Sequence, residues 1–195
     1  VESTYGNRAH RSFDATLDEL ADAINQTLVG RGGNVIIPAF AVGRTQEILF
    51  VLADLVRAGR VGPLKVVVDS PMASAVTELT VRHRDLWDEE TRKLFAWSQG
   101  NGARFDVRFV QDVEESMALN NVRGGLVIIS ASGMCDAGRV RHHLRYNLGR
   151  SECSVIIAGF QAAGTLGRRL VDGARQVCLF GERIPVRARI HTIGG

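Results

Sequence analysis

The stretch from Gly125 to Leu144, GLVIISASGMCDAGRVRHHL, predicts a strand, a loop and a helix in direct succession. Leu126–Ile129 is a short apolar run rich in β-branched residues, which is typical of a strand covered on both faces. Ser132 and Gly133 then leave the strand, and their small size lets a ligand approach the backbone closely. The stretch therefore indicates a parallel sheet with a binding loop at its carboxyl edge.

The helix that follows begins with a cluster of basic side chains. Asp136 is a candidate cap, and the first turns carry Arg139, Arg141, His142 and His143. Neighbours on a helix point about 100° apart, so the two histidines cannot both face one site. N–H donors and cations at one helix start favour a phosphate or another anion. The alternative is a joint that binds nothing, as occurs in every α/β protein.

Strands and helices alternate along the rest of the chain about five times. Strands are predicted over 35–40, 65–69, 105–110, 126–130 and 154–159. The order predicts an α/β fold in three layers, with a mainly parallel sheet flanked by helices. Segments 176–180 and 185–190 alternate in polarity and predict an antiparallel hairpin near the C-terminus.

Two details of the helices can also be predicted. Asp69 or Ser70 is expected to cap a helix that has Pro71 near its first position. The segment Glu78–Gln99 is charged and is expected to form one long helix.

Several joints end in small polar residues followed by an arginine near a helix start. Carboxyl ends of parallel strands share one edge, so Arg44, Arg139 and Arg168 are expected to converge. The segment Gly159–Thr165 resembles a phosphate-binding P-loop. It lacks the lysine before Thr165 that would hold the β- and γ-phosphates, which argues against a nucleotide triphosphatase.

The composition is that of an ordinary globular domain, with 195 residues, 45% of them hydrophobic and 23% charged. No apolar run approaches the ~18 residues that span a bilayer, and no signal peptide opens the chain. A net charge of +3 is compatible with a polyanionic partner. The three cysteines Cys135, Cys153 and Cys178 have no metal-like spacing, which favours reduced thiols and a cytoplasmic location. A Cys135 nucleophile activated by a nearby histidine is a further alternative.

The two ends of the sequence do not look like natural termini. The chain begins at Val1 without a methionine and ends with His191–Gly195. We therefore expect a piece of a longer protein.

Four stretches together resemble one family. They are Glu2–His10, Pro38–Glu47, Ser132–Arg139 and Ala158–Leu166. Their order and spacing are similar to the β-CASP region of metallo-β-lactamase-fold nucleases. That family includes the endonuclease subunit of the pre-mRNA cleavage and polyadenylation factor, with bacterial and archaeal relatives, and RNase J more distantly. The resemblance covers essentially the whole chain.

The resemblance implies a composite enzyme, a metal-dependent ribonuclease. Residues 1–195 would be a β-CASP domain inserted as a cap into a metallo-β-lactamase domain that binds two zinc ions. Segments 1–10 and 185–195 would lead to that missing domain, and single-stranded RNA would lie in the cleft between the two. The family's His-x-His-x-Asp-His ligands lie upstream of the position matching Val1, so no metal ligand or cofactor is expected in this chain. The chain alone is then expected to be inactive, with no membrane partner and with homodimer formation left open.

The resemblance also implies roles for particular residues. Glu2 matches the acidic residue of the family's first motif and would support the active-site edge, while His191 is given no catalytic role. The predicted RNA or phosphate contacts, from the resemblance and from the joints above, are Tyr5, Arg8, Arg44, Ser132, Gly133, Arg139, His142, His143, Thr165 and Arg168.

Two other classes of function stay open. One is a free-standing α/β domain that binds a nucleotide or a phosphorylated metabolite. The other is a scaffold or interaction module without catalysis. The Ser3–Gly6 stretch and the Ser-Gly-Met loop look more like the RNA branch of the family than the DNA branch. The natural target and endo- or exonuclease action are not indicated.

Overall fold

The computed structural model describes residues 12–193 and contains a six-stranded sheet in which every pair of neighbours is parallel. The strand order is β3-β2-β4-β1-β5-β8. The strands are β1 (Val35–Pro38), β2 (Leu64–Val68), β3 (Phe105–Phe109), β4 (Leu126–Ser130), β5 (Ser154–Ile157) and β8 (Arg189–Thr192). A separate antiparallel hairpin consists of β6 (Gln176–Leu179) and β7 (Glu182–Pro185). The predicted α/β fold is confirmed.

Helices lie on both faces of this sheet. They are α1 (Phe13–Asn25), α2 (Arg44–Arg57), α3 (Pro71–Arg82), α4 (Glu89–Gly100), α5 (Val113–Leu119), α6 (Val140–Asn147) and α7 (Leu166–Val171). A π-helical turn, Gln26–Gly30, extends α1, and a 3-10 turn, Arg84–Leu86, follows α3. No helix within residues 12–193 is both long and apolar enough to cross a membrane.

Successive residues of the central strands feed two separate hydrophobic cores. Val35 and Ile37 pack in the core formed with α1, α2 and α4, whereas Ile36 packs in the core formed with α6, α7 and β6. All four residues of β1 and of β5 are buried. This two-sided burial explains why these strands read as continuous apolar runs rather than alternating ones.

The second strand of the hairpin differs from its prediction. It is β7, not 185–190, because Phe180 and Gly181, both at positive φ, turn the chain directly after β6. The following residues leave the hairpin when the N–H groups of Arg187 and Ala188 donate to the Leu148 carbonyl at 2.8 and 2.9 Å. They then form β8, which pairs in parallel with β5 and extends the main sheet. Local alternation could not distinguish these two partners.

Two predicted helix features are also wrong. Glu78–Gln99 does not form one helix: Trp87 is extended (ψ 147°), and the Asp88 carboxylate accepts a hydrogen bond from the Thr91 N–H at 2.7 Å to cap α4. Asp136 does not cap α6. It accepts from the Leu166 N–H at 2.8 Å, at the start of α7. In both cases an aspartate side chain accepts a hydrogen bond from an N–H group in the first turn of a helix, where the N–H groups have no partner within the helix.

We predict that Gly33→Ala destabilises the fold by about 1–3 kcal/mol, the usual cost of overpacking. A Cβ at position 33 would lie 2.0 Å from the Glu152 carbonyl oxygen, so two backbone segments would have to move apart. Gly62→Ala is the matched control, since a Cβ there meets no atom within 4 Å. Urea denaturation measures both variants, and equal midpoints would contradict the close approach.

Candidate functional site

The carboxyl ends of β1, β4 and β5 meet at one edge of the sheet, and a cavity of about 310 Å³ opens there. The loops that follow these strands line it, through Phe40, Gly133, Gln161 and neighbouring residues, together with Arg44. Parallel strands deliver consecutive loops to the same edge, as expected for ligand sites in such sheets. Three of the four motif stretches are therefore brought together.

Hydrogen bonds join the loop 131–139 to the segment that follows β5. Gln161 donates from Nε2 to the Gly133 carbonyl at 3.0 Å, and the Gly167 N–H donates to the Met134 carbonyl at 3.0 Å. Together with the hydrogen bond that Asp136 accepts from the Leu166 N–H, these contacts hold two motif stretches in one fixed arrangement. The shape of the cavity is thus set by the protein itself.

The first helix turn after β1 presents one cation at this cavity. Arg44 begins α2, its side chain is 47% exposed, and it pairs with the exposed Glu47 at 2.9 Å. The preceding Phe40 is fixed through its carbonyl, which accepts from the Thr45 hydroxyl at 2.8 Å. An exposed ion pair contributes little stability, so the Arg44 guanidinium can exchange Glu47 for another anion.

Beside the cavity lies a buried polar network around Asp69, directly after β2. Its carboxylate accepts hydrogen bonds from the Ser116 hydroxyl at 2.5 Å, from Arg139 Nη1 at 2.8 Å and from His143 Nε2 at 2.6 Å. Burial by itself would raise the pKa of Asp69. The hydrogen bonds from His143, Ser116 and Arg139 outweigh it, so the pKa is lowered and the carboxylate stays ionised.

This network changes the picture of two predicted contact residues. Arg139 also donates from Nη2 to the Gln111 carbonyl at 2.7 Å, and only 20% of its side chain is exposed. His143 is fully buried. The expected convergence of Arg44 and Arg139 on one cavity is not observed, because the Asp69 carboxylate draws Arg139 inward. Whether Arg139 and His143 also touch RNA stays a prediction.

The other predicted residues occupy varied places near this edge. His142 is the exposed member of the histidine pair, stacked on Phe180 with ring centroids 4.5 Å apart. Thr165 caps α7 by accepting from the Arg168 N–H at 3.2 Å, and Arg168 pairs with Asp172 at 2.9 Å.

The remaining predicted residues are a loop serine and three residues of the first motif. Ser132 follows a cis Ala131–Ser132 peptide, and its hydroxyl accepts from the Ala137 N–H at 3.4 Å. Glu2, Tyr5 and Arg8 lie outside the described residues. The roles predicted for all of these residues stay predictions.

The sequence did not single out Asp69, Ser116 or Gln161 as site residues. Asp69 was a candidate helix cap, but Ser70 takes that role by accepting from the Ala73 N–H at 3.3 Å. The available signal was the position of Asp69 at the carboxyl end of a buried strand, because the neighbouring Ser70 could serve as the helix cap instead. Gln161 lies within the motif stretch Ala158–Leu166, which was its signal. Ser116 carried none, since its partner Asp69 is far away in sequence.

The proposed thiol nucleophile does not fit the structure. Cys135 is fully buried, and burial, with a smaller contribution from Asp136, raises its pKa to about 12. A buried thiol with so high a pKa does not form the thiolate that attacks a substrate.

The described residues 12–193 do not include a group of three or more His, Cys, Asp or Glu side chains placed to hold a metal ion.

The fold and this edge define a class: an α/β domain with a mainly parallel sheet and a preformed cavity at its carboxyl edge. Comparison with known families matches residues 45–170 to the Beta-Casp domain. The chain therefore belongs to the β-CASP family, and the resemblance drawn from the four stretches is confirmed.

Three curated relatives illustrate the match. Ribonuclease TTHA0252 of Thermus thermophilus is 36% identical over 195 residues, which is 100% of this chain and 44% of the relative. The RNase J-like protein of Methanocaldococcus jannaschii is 31% identical, covering 99% of this chain and 44% of the relative. Transcription termination factor FttA of Pyrococcus abyssi is 31% identical, covering 100% of this chain and 31% of the relative. The chain thus spans less than half the length of these relatives.

We predict that Asp69→Asn destabilises the protein by about 3 kcal/mol or more. The variant leaves Arg139 and the buried His143 without their anion, and breaking a buried pair costs more than the pair contributes. Urea denaturation at neutral pH measures the loss. Glu78→Gln, which breaks the exposed pair with Arg82 on α3, serves as the control and should leave the midpoint nearly unchanged. Equal midpoints for both variants would contradict the structural role of Asp69.

We also predict that stability falls as the pH drops from 7 toward 5. Burial, followed by nearby cations, lowers the pKa of both His142 and His191 in the folded state. Below about pH 6.5 the unfolded chain then binds more protons than the folded chain, so acid favours unfolding. A second loss follows below about pH 4, as the Asp69 carboxylate is protonated.

The change is measured by urea denaturation at a series of pH values. His191→Gln should flatten the upper part of the pH profile of the free energy of unfolding. A profile that is level between pH 7 and 5 in the unaltered chain would contradict the assignment.

Proposed function

We propose that this chain is the RNA-binding cap domain of a zinc-dependent ribonuclease, and that the complete protein hydrolyses phosphodiester bonds. The observation that carries the proposal is the meeting of three motif stretches around one cavity, with the exposed cation of Arg44 at its margin. Relatives named as a ribonuclease and as an RNase J-like protein support RNA as the ligand.

The proposed grip acts on the RNA backbone. A phosphate replaces the Glu47 carboxylate at Arg44, since that pair is exposed and exchanges readily. The backbone of Ser132 and Gly133 lies close to the same RNA strand. His142, Thr165 and Arg168 extend the surface that contacts RNA. Tyr5 and Arg8 of the first motif are proposed to add to it. Phosphate contacts of this kind carry no sequence information, so binding is expected for any single strand.

Arg139 and His143 have a supporting part in this proposal. Their hydrogen bonds to Asp69 fix the start of α6 and the end of the loop that carries Ser132 and Gly133. A fixed loop reduces the conformational entropy that would be lost on binding RNA. Arg139 is also proposed to contact a phosphate directly, through the 20% of its side chain that is exposed.

Two zinc ions are implied for the complete enzyme, but the described residues of this chain do not fit them. When bound, zinc would activate water and polarise the scissile phosphate. The part proposed for this chain is to hold the strand and to close the cleft, with Glu2 supporting the active-site edge.

The remaining proposals concern context. Residues 1–195 are proposed to be inserted into a metallo-β-lactamase domain, to which segments 1–10 and 185–195 lead. The proposed location is the cytoplasm, without a membrane partner, and a homodimer stays one alternative.

We predict that the chain binds single-stranded RNA with a steep dependence on salt and cleaves nothing. With three or four phosphates neutralised, a log–log plot of affinity against salt should have a slope of about −2 to −3. Fluorescence anisotropy with a labelled oligonucleotide measures the slope, and gel electrophoresis tests cleavage with and without added zinc. Salt-independent binding would favour the rival function, a nucleotide or metabolite site. Chelator-sensitive hydrolysis by the pure chain would contradict the proposed division of labour.

We predict that Arg44→Ala weakens RNA binding and reduces the magnitude of the salt slope by about 0.7, the value for one phosphate contact on a single strand. Arg57→Ala is the matched control. Arg57 lies at the other end of α2, about 20 Å away, and also forms an i,i+3 ion pair, with Asp54. Equal slopes for the two variants would contradict the placement of RNA at the carboxyl edge.

A further inference from the structure

We propose that Phe40 is a stacking platform for one RNA base, which enters the cavity at the carboxyl edge. This inference rests on the proposed function and adds to it a base contact that the backbone grip does not require. The ligand class is a purine or pyrimidine ring attached to a phosphate held near Arg44.

The first argument is the way Phe40 is held. Its side chain is 51% exposed, although Ala39 before it is buried. Its ring atoms Cδ2 and Cε2 lie 3.1 and 3.2 Å from the place that a Cβ on Gly133 would occupy. The ring is therefore packed against the Gly133 backbone on one side, while half of its surface remains open.

The second argument is rigidity. The Phe40 carbonyl accepts hydrogen bonds from both the N–H and the hydroxyl of Thr45, at 3.2 and 2.8 Å. Gly133 is itself held by Gln161 through its carbonyl. A ring fixed in this way loses little freedom on binding, which favours affinity.

The third argument is that a cation lines the same cavity as the Phe40 ring. An exposed phenylalanine on its own is ordinary. Here it shares the lining of a cavity of about 310 Å³ with Arg44, the first residue of α2, and that volume lies at the lower end of small-ligand sites. Proteins that bind single strands combine cations along the backbone with aromatic rings under the bases.

A second and larger cavity among the described residues lacks this combination. It measures about 640 Å³, lies between α2, α3, α4 and β3, and is lined by apolar groups such as Trp87 and Phe95. No lysine or arginine occurs among its described lining residues. A nucleotide phosphate would have no partner there, so the smaller cavity is the one that fits RNA.

The test compares an ordinary single-stranded RNA oligonucleotide with an abasic oligonucleotide of equal length and charge. Phe40→Ala should weaken binding of the ordinary strand by about 5- to 140-fold, the effect of losing one stacked base. It should leave both the salt slope and the affinity for the abasic strand unchanged. Phe40→Trp should restore binding, because it keeps a flat ring.

Two further variants sharpen the result. Phe13→Ala removes another exposed phenylalanine, 67% exposed on α1, and should leave RNA binding unchanged. Gly133→Ala retains Phe40 but places a methyl group against its ring, so it should weaken binding of the ordinary strand more than of the abasic one. Urea denaturation of each variant reports whether it is folded.

The outcomes separate the two proposals. If Phe40→Ala leaves the affinity unchanged, or weakens both oligonucleotides equally, the stacking platform is wrong, while a salt-dependent slope would still support the backbone grip. If the unaltered chain binds no RNA, or binds it independently of salt, the proposed function itself fails. Loss of binding in both Phe40→Ala and Phe40→Trp would also overturn the platform, since stacking would not explain it.

Discussion

The Asp69 carboxylate joins four segments of the chain at one buried point. It follows β2 and accepts hydrogen bonds from Ser116 on α5, from Arg139 at the end of the loop 131–139 and from His143 on α6. An ion removed from water costs several kcal/mol unless its partners replace the lost hydration. Because the partners come from separate elements, the charge can be satisfied only when the sheet, the two helices and the loop are all in place. The geometry of the candidate site therefore depends on this one group.

The sheet supplies the second condition. Its strands are all parallel, so every strand delivers its loop to the same edge, and the central strands β1 and β5 are buried on both faces. Polar contacts then fix the loops relative to one another. Gln161 donates to the Gly133 carbonyl, and Asp136 accepts from the Leu166 N–H at the start of α7. These side chains occupy the places where loops would otherwise leave backbone groups without partners. The cavity is consequently a rigid feature of the fold.

Two arginines in similar positions, each near a helix start, have different physical roles. Arg44 pairs with an exposed carboxylate in water, where the interaction is weak and exchangeable. Arg139 pairs with a fully buried carboxylate, where breaking the interaction is costly. The difference lies in the partner rather than in the arginine. It divides the edge into a part suited to contact a polyanion and a part that maintains the loop.

The sequence by itself determined the fold class, six of the strands (β1 to β6) and the family. Each rests on local information: apolar β-branched runs such as Leu126–Ile129 identify strands, and the four motif stretches carry the resemblance. Only the tertiary structure decided the partners. Residues 189–192 paired with β5 instead of the hairpin, and Asp136 bonded to the Leu166 N–H at the start of α7 instead of capping α6. Asp69 took Arg139 away from the cavity that Arg44 lines. The physical reason is that a buried charge or an orphan N–H group is satisfied by whichever group is nearest in space, and spacing along the chain does not contain that distance.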